Sequence, residues 1–410
     1  MSLNVGIGFV TGRKHFQNIL KSYINNWLEH GLITDTNIRL HLFIAYDLKY
    51  FGTQVSDYKN IPPELAKMVD SINFFDADKI NNELILLKSK GLIKDEEAKL
   101  LFGEGYGKKR NVITYFAIKS KMDRLIFIDD DEYPLATMKN GKDQLVWMGQ
   151  SVVGTHLKFI EEANITHGHH CGYISPIPFI RFNDVLTEDD FRQFIEAISN
   201  EIVSWESIKY IVSHNKGVTF ADSEIINNTR VTEVQEENGM KFISGANLCL
   251  NLKDTKHLPP FYNPPGARGE DTFMSTALSN LRVIKVPCYT FHDGFLMYNK
   301  LLNGVLPLKL EPIDSSSPTI LKRFINATIG WVRYKPLLVY ITNNARFENV
   351  MNEMQQKLDF TIPKLCSFFN TKEFEKIIPE LAYYRKNVTR HFNDFEATKN
   401  IWGKLLGQMN

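Results

Sequence analysis

Apolar positions along this chain alternate between two spacings. Val5 to Val10 is a short apolar-rich run that reads as a strand, and Gly12 breaks it. Phe16, Ile19, Leu20, Tyr23, Ile24, Trp27 and Leu28 then recur three and four residues apart, which is one face of a helix. Arg39 to Ala45 reads as a second strand ending at Asp47, and Ser71 to Phe75 as a third. Lys79 to Leu101 has helical spacing with its charges on one side, and Gly105 and Gly107 mark a turn. Val112, Ile113, Phe116 and Ala117 place a further helix against a sheet, and Leu125 to Ile128 follows as an unbroken apolar strand. Such a run between helices is how a parallel strand covered on both faces reads. Strand–helix alternation of this kind predicts an α/β fold, a mixed and mainly parallel sheet flanked by helices. Ligands of such sheets bind beyond the carboxyl ends of the strands.

The pattern loosens after Trp147. The stretch to Asn238 reads as less regular, with a loop at HGHHCGYISPIPF and a helical segment near Glu188 to Trp205. Phe242 to Leu250 reads as a later strand, a proline-rich loop leads to a helix over Thr272 to Leu281, and Val283 to Val286 is a short strand. SSSPT, from Ser315, marks a boundary, so residues 1–312 form the main domain and residues 313–410 a mainly helical extension. Ile320 to Ile341 mixes Lys and Arg with large apolar residues. It reads as a packing or oligomerisation element ahead of a helix lying on a membrane surface, and Pro336 is expected to break it.

Composition narrows the classes. The 410 residues carry a formal net charge of +1, which gives no global electrostatic reason to bind nucleic acid. Cys171, Cys249, Cys288 and Cys366 are far apart and form no CxxC pair, so a zinc ribbon or disulfide framework is not expected and a reducing cytoplasm fits best. The opening MSLNVGIGFVTG lacks the features of a signal peptide, and no apolar window reaches the roughly 18 residues of a membrane span.

The chemistry concentrates where apolar runs stop. RLIFIDDDEYP, Arg124 to Pro134, drives a buried-looking strand into Asp129, Asp130 and Asp131. Adjacent carboxylates repel unless a cation offsets them. Side chains alternate along a strand, so Asp129 and Asp131 would share a face with Asp130 turned away. Carboxylates at such an edge suit Mg²⁺ or Mn²⁺, although a solvated acidic turn would read the same way. Lys108, Lys109, Arg110 and Asn111 stand at the start of the helix feeding this strand, where backbone N–H groups favour phosphate. Glu270 and Asp271 open a later helix, where an isolated Asp is most often a cap. His292 follows an apolar strand and could close a metal site. His167, His169, His170 and Cys171 lie too close together for one ordinary zinc site, and this segment is expected to be a loop.

In this order, Gly107 to Asn111, Asp129 to Asp131, Gly245-Ala246-Asn247, Gly269-Glu270-Asp271 and His292 resemble the motifs of GT-A-fold glycosyltransferases, in particular the inverting family 2 group, over roughly residues 4 to 300. The resemblance implies a Rossmann-like GT-A domain that transfers a sugar from a nucleotide diphosphate sugar, UDP before GDP, to the hydroxyl of a glycan or other acceptor. Thr11, Gly12 and Asp47 would hold the nucleoside, and Lys109, Arg110 and Asn111 would border the base or diphosphate. Asp129, with Asp130 beside it, would lie near the ribose or donor sugar, and small Gly245 and Ala246 would let that sugar approach the backbone. Asp131 would bind Mn²⁺ or Mg²⁺ with His292 as a second ligand, and Asp271 would act as base, with Glu270 as the alternative. Three other readings compete. A haloacid-dehalogenase-type phosphohydrolase carries its DxD near the N-terminus, a nucleotidyltransferase opens with a basic glycine-rich loop, and a GT-A-like protein could bind a nucleotide sugar without turning it over.

Overall fold

The structure, a computed structural model, describes residues 2–49, 51–141, 144–199, 205–211, 215–227, 230–298, 301 and 304–409. In chain order its main elements are β1 (Leu3–Thr11), α1 (Phe16–Glu29), β2 (Ile38–Tyr46), β3 (Ser71–Phe75), α2 (Ala77–Ser89), α3 (Asp95–Leu101), α4 (Tyr106–Lys119), β4 (Arg124–Asp129) and β5 (Glu132–Tyr133). The hairpin strands β6 (Leu135–Lys139) and β7 (Leu145–Gly149) follow, then α5 (Val152–Phe159), β8 (Ile165–Gly172), α6 (Glu188–Ile198), β9 (Thr232–Glu233) and β10 (Leu248–Asn251). The chain closes with α7 (Glu270–Ser275), β11 (Val283–His292), α8 (Pro318–Thr342), α9 (Phe347–Phe368), α10 (Ile377–Lys386) and α11 (Val388–Gly407).

The main sheet runs β3-β2-β1-β4-β10-β8-β11-β5, with β9 also on β11. Strands β3, β2, β1 and β4 are parallel, as are β8 and β11, while β10 is antiparallel to both of its neighbours. This is the mixed α/β architecture that the strand–helix alternation implies. The cause is apolar on both faces: Val5, Ile7 and Phe9 of β1 pack on the side of α1, and Leu125 and Phe127 of β4 on the side of α4.

The helix expected over Thr272 to Leu281 is Glu270–Ser275, and the strand expected at Val283 to Val286 runs on to His292. Four further local expectations fail, each for a physical reason. Lys79 to Leu101 is two helices, because Gly91 turns the chain at φ +67° and Asp95 to Glu97 then supply the acidic first turn of α3. The histidine segment is not a loop: Ile165–Gly172 is strand β8, paired with β10 on one side and β11 on the other. The strand expected over Phe242 to Leu250 is confined to Leu248–Asn251, since Asn247 takes φ +49° and the preceding residues turn toward α7. Helix α8 runs through Pro336 unbroken. The missing N–H costs one ladder bond, and burial of Leu337, Leu338 and Val339 offsets it.

The same burial decides how Ile320 to Ile341 is used. Phe324, Ile325 and Val332 of α8 join a core with α6, α9 and Phe273 of α7, so this apolar face is inside the protein. Trp402, Leu405 and Leu406 of α11 pack into the core on the α4 side of the sheet. No helix among the described residues is long and apolar enough to cross a membrane.

Candidate active site

Parallel pairing brings the ends of β1, β2 and β4 to one edge. Thr11 stands beside Tyr46, and Val10 beside Asp129. The last pair of β11 sets His292 against Glu132, and the Asp293 N–H donates to the Asp131 carbonyl at 2.8 Å. Thr11, Asp129, Asp131 and His292, scattered over most of the sequence, therefore meet at a single edge.

Strand alternation does not govern the three aspartates, because β4 ends at Asp129 and Asp130 and Asp131 lie in a turn. Asp130 is not turned away. It accepts from Thr11 Oγ1 at 2.6 Å and pairs with Arg13 Nε at 3.3 Å. The Gly12 backbone N–H also faces it. Arg13 Nη2 reaches Asp131 Oδ2 at 2.9 Å, and His292 Nε2 lies 3.3 Å from the same oxygen. The His292 Nδ1–H donates to the Tyr173 carbonyl at 2.6 Å, which leaves Nε2 facing Asp131. Behind this pair, Glu132 contacts His170 Nδ1 at 3.1 Å and accepts from Thr290 Oγ1 at 2.8 Å.

Burial sets the electrostatics. It raises the Asp129 carboxyl to about 7 against the pull of Arg110, and Asp130 to about 6 against that of Arg13. Burial would raise Asp131 as well, but His292 and Arg13 outweigh it and hold this carboxyl far below the usual range. Burial alone would lower His292, yet the charge and hydrogen bond of Asp131 push its imidazole up to about 9. The folded chain thus binds a proton at His292 that the unfolded chain loses near 6.5. The stabilisation is complete below that pH and disappears as pH rises through about 9. Chelator-treated protein is expected to lose stability over this window, and His292→Gln to flatten the slope. Urea midpoints measured at successive pH values check this.

Arg110 organises the second half of the site. It is 2% exposed, donates to Asp129 Oδ1 at 2.9 Å and to the Gly245 carbonyl, and lies 3.5 Å from Glu270 Oε1 through Nε. Its guanidinium carbon stands 5.0 Å from the centre of the Phe127 ring and 5.5 Å from that of Phe261. Asp271 is fixed by two backbone donors, Gly245 N–H to Oδ2 at 3.0 Å and Thr272 N–H to Oδ1 at 2.8 Å. Gly107 allows α4 to come this close: a Cβ there would stand 3.1 Å from the Glu270 side chain and 2.8 Å from Asn263 Oδ1. Burial and the neighbouring Asp271 raise the Glu270 carboxyl.

A cleft of about 620 Å³ is lined by Tyr46, Asp47, Lys59, Phe75, Asp76 and Lys109 among others, and by none of Asp129, Asp130, Asp131, Glu270 and Asp271. Lys109 Nζ faces Asp47 at 3.8 Å, and Lys59 pairs with Asp76 at 3.1 Å. A smaller cleft of about 360 Å³ around His257, Pro259 and Trp402 shares none of these residues.

The sequence-derived residues therefore fall into three groups. Thr11, Gly12, Asp130, Asp131 and His292 form one cluster, and Asp129, Arg110, Gly245, Glu270 and Asp271 a second. Asp47 and Lys109 line the cleft. Asn111 lies apart, fully buried, with its amide oxygen and nitrogen spent on the Phe261 backbone at 2.8 and 2.9 Å. Ala246 is buried beside Gly245. Sequence reasoning missed Arg13 and Glu132 and placed His170 in a loop. Arg13 follows a strand end by two residues and Glu132 continues the acidic run, so both carried a weak signal. His170 carried none once its segment was read as a loop.

Among the described residues no group of three or more His, Cys, Asp or Glu side chains is arranged to hold a metal ion. The histidines of β8 diverge: His167 is buried against Phe242, His169 lies over Tyr289, and His170 meets Glu132. All four cysteines are free.

No described protein family matches the sequence, and no curated protein does. Among solved structures, the galactosyltransferase LgtC in complex with donor and acceptor sugar analogs matches 84% of this chain and 94% of its own, at 10% identity and a TM-score of 0.29. Mouse xyloside xylosyltransferase 1 in its apo form matches 62% of this chain and 69% of its own, at 13% identity and a TM-score of 0.23.

Proposed function

We propose that this chain is a glycosyltransferase that moves a sugar from a nucleoside diphosphate sugar to an acceptor hydroxyl, with inversion and with Mn²⁺ or Mg²⁺ at Asp131 and His292. One observation carries the reading: a buried acidic pair faces an oriented imidazole at the carboxyl edge of a parallel sheet, and Arg110 links the neighbouring Asp129 to the segment that holds a backbone-fixed Asp271. A hydrolase of the DxD type has no role for Asp271, which the fold brings to the same site through Gly245.

The donor set at Asp131 and His292 fits a small divalent ion. Neighbouring ligands of an ion bound at about 2.1 Å stand roughly 3 Å apart, and the Asp131 oxygen and His292 Nε2 are 3.3 Å apart. The Tyr173 carbonyl on the opposite ring nitrogen fixes the tautomer, as carbonyls do behind many metal-bound imidazoles. An ion there would supply Lewis-acid stabilisation of the charge on the departing diphosphate. The cleft at Asp47 and Lys109 would take the nucleoside, and Gly245 and Ala246 would leave room for the sugar. Asp271 would accept the hydroxyl proton as the acceptor oxygen bonds to the anomeric carbon. The bond from that carbon to the diphosphate breaks, and its electron pair leaves on the phosphate oxygen. Glu270 faces Arg110, which leaves Asp271 as the preferred base.

Calorimetric titration of UDP and of GDP, each with and without Mn²⁺, tests the reading. Micromolar binding that requires Mn²⁺ is expected, to UDP first and GDP second. Failure of both nucleotides to bind in Mn²⁺ would overturn it. Asp131→Asn is expected to weaken Mn²⁺-dependent nucleotide binding at least about tenfold, the loss of one charged ligand, as read by the same titration.

A further inference from the structure

We infer that Arg13 is an exchangeable counter-ion: it closes the Asp130–Asp131 pair when the site is empty and transfers to the donor diphosphate when cation and donor bind. The inference rests on the donor-site reading above. Arg13 holds both carboxylates at once, Asp130 at 3.3 Å and Asp131 at 2.9 Å, and their side chains are only 3% and 6% exposed. Two buried negative charges in adjacent residues need such a partner. The backbone N–H of Arg13 lies 3.3 Å from Thr11 Oγ1, whose hydroxyl donates to Asp130, so the loop and the acidic pair are tied together.

The same contact obstructs a divalent ion. Arg13 Nη2 and His292 Nε2 share one oxygen, Asp131 Oδ2. An ion that takes this oxygen with His292 stands beside the guanidinium, and like charges a few ångströms apart in a buried site repel. Arg13 must then leave Asp131. Its guanidinium carbon is 5.9 Å from the Phe51 ring, on the loop that follows the cleft residues Asp47, Leu48 and Lys49. Arg13 thus lies between the acidic pair and the loop that continues from the cleft residues Asp47 to Lys49. Phosphates joining a nucleoside in that cleft to a sugar at the pair would pass over it. A guanidinium binds phosphate oxygens through two parallel N–H bonds, so it can exchange carboxylates for a diphosphate without losing charge pairing. The consequence is linkage: Arg13 weakens binding of the cation alone and strengthens binding of cation and diphosphate together.

Titration of Mn²⁺ alone, then of UDP and GDP in Mn²⁺, into the full chain and its Arg13→Gln variant tests this. Arg13→Gln is expected to bind Mn²⁺ alone at least about tenfold more tightly and the Mn²⁺–nucleotide at least about tenfold more weakly, the weight of one charge-assisted contact. Its Tm is expected to be lower than that of the unmodified chain without Mn²⁺ and to rise more when Mn²⁺ is added. Arg13→Lys, which keeps the charge but not the fork, is expected to fall between the two and carries the test if Arg13→Gln does not fold. Unchanged or weaker Mn²⁺ affinity in the variants overturns the inference while nucleotide binding by the unmodified chain preserves the donor-site reading. Absence of nucleotide binding by the unmodified chain overturns both.

Discussion

Asp271→Asn is expected to lower the rate of sugar transfer by about 10³-fold, within the range that a positioned general base contributes, while nucleotide affinity stays within about twofold of the unmodified chain. The geometry explains the separation. Asp271 is held by the N–H groups of Gly245 and Thr272 and is not among the residues that line the proposed nucleoside cleft. Asparagine keeps the shape and one acceptor oxygen but cannot take a proton. Product formation under saturating donor measures the rate, and calorimetry measures affinity. A retained rate would show that no proton passes through Asp271 and would sink the inverting mechanism. A fall in both quantities would mark Asp271 as a structural clamp for the Gly245 segment.

Arg110→Met is expected to cost about 3–5 kcal/mol of stability at neutral pH, the range for breaking a buried ion pair from one side. Methionine replaces the bulk of the arginine stem, so lost packing is a minor part of the effect. The loss comes from Asp129, Glu270 and the Gly245 carbonyl, all of which face Arg110 from separate elements. The pH dependence identifies the cause. Both carboxyls are already raised by burial in the presence of Arg110 and would rise further without it. A carboxyl raised in the folded state binds more protons there than in the unfolded chain, so stability increases as pH falls. The deficit of the variant should therefore shrink between about pH 8 and pH 5 as these carboxyls become neutral. Urea midpoints across that range measure it. A deficit independent of pH would assign the loss to packing.

These two residues also show why the site is split as it is. Arg110 faces Asp129 and Glu270, whereas Asp131 faces Arg13 and His292 and Asp271 faces two backbone donors; in the proposed mechanism Asp131 and Asp271 would be the carboxylates that take part in chemistry. On that proposal, supporting and reacting carboxylates lie close in sequence at both places, Asp129 two residues from Asp131 and Glu270 next to Asp271. Which member of each pair reacts is a property of the partner that the fold brings to it.

The sequence by itself determined the parallel half of the sheet and the strand ends at which chemistry concentrates. Unbroken apolar runs such as Leu125 to Ile128 are stable only between two covering layers, and local spacing reports that directly. The split of α2 from α3 was also written locally, in Gly91 and the acidic start of α3, although the continuous helical spacing concealed it. Three matters belonged to tertiary structure alone. Ile165–Gly172 is a strand because β10 and β11 supply its backbone partners from far along the chain, and no propensity of three histidines and two glycines would specify it. Helix α8 continues through Pro336 because the surrounding core repays one missing hydrogen bond. Asp130 and Asp131 share Arg13 because β4 stops two residues earlier than alternation assumes. Strand periodicity describes residues within a ladder, whereas a turn obeys whichever charge lies across from it, and that charge came from the end of another strand.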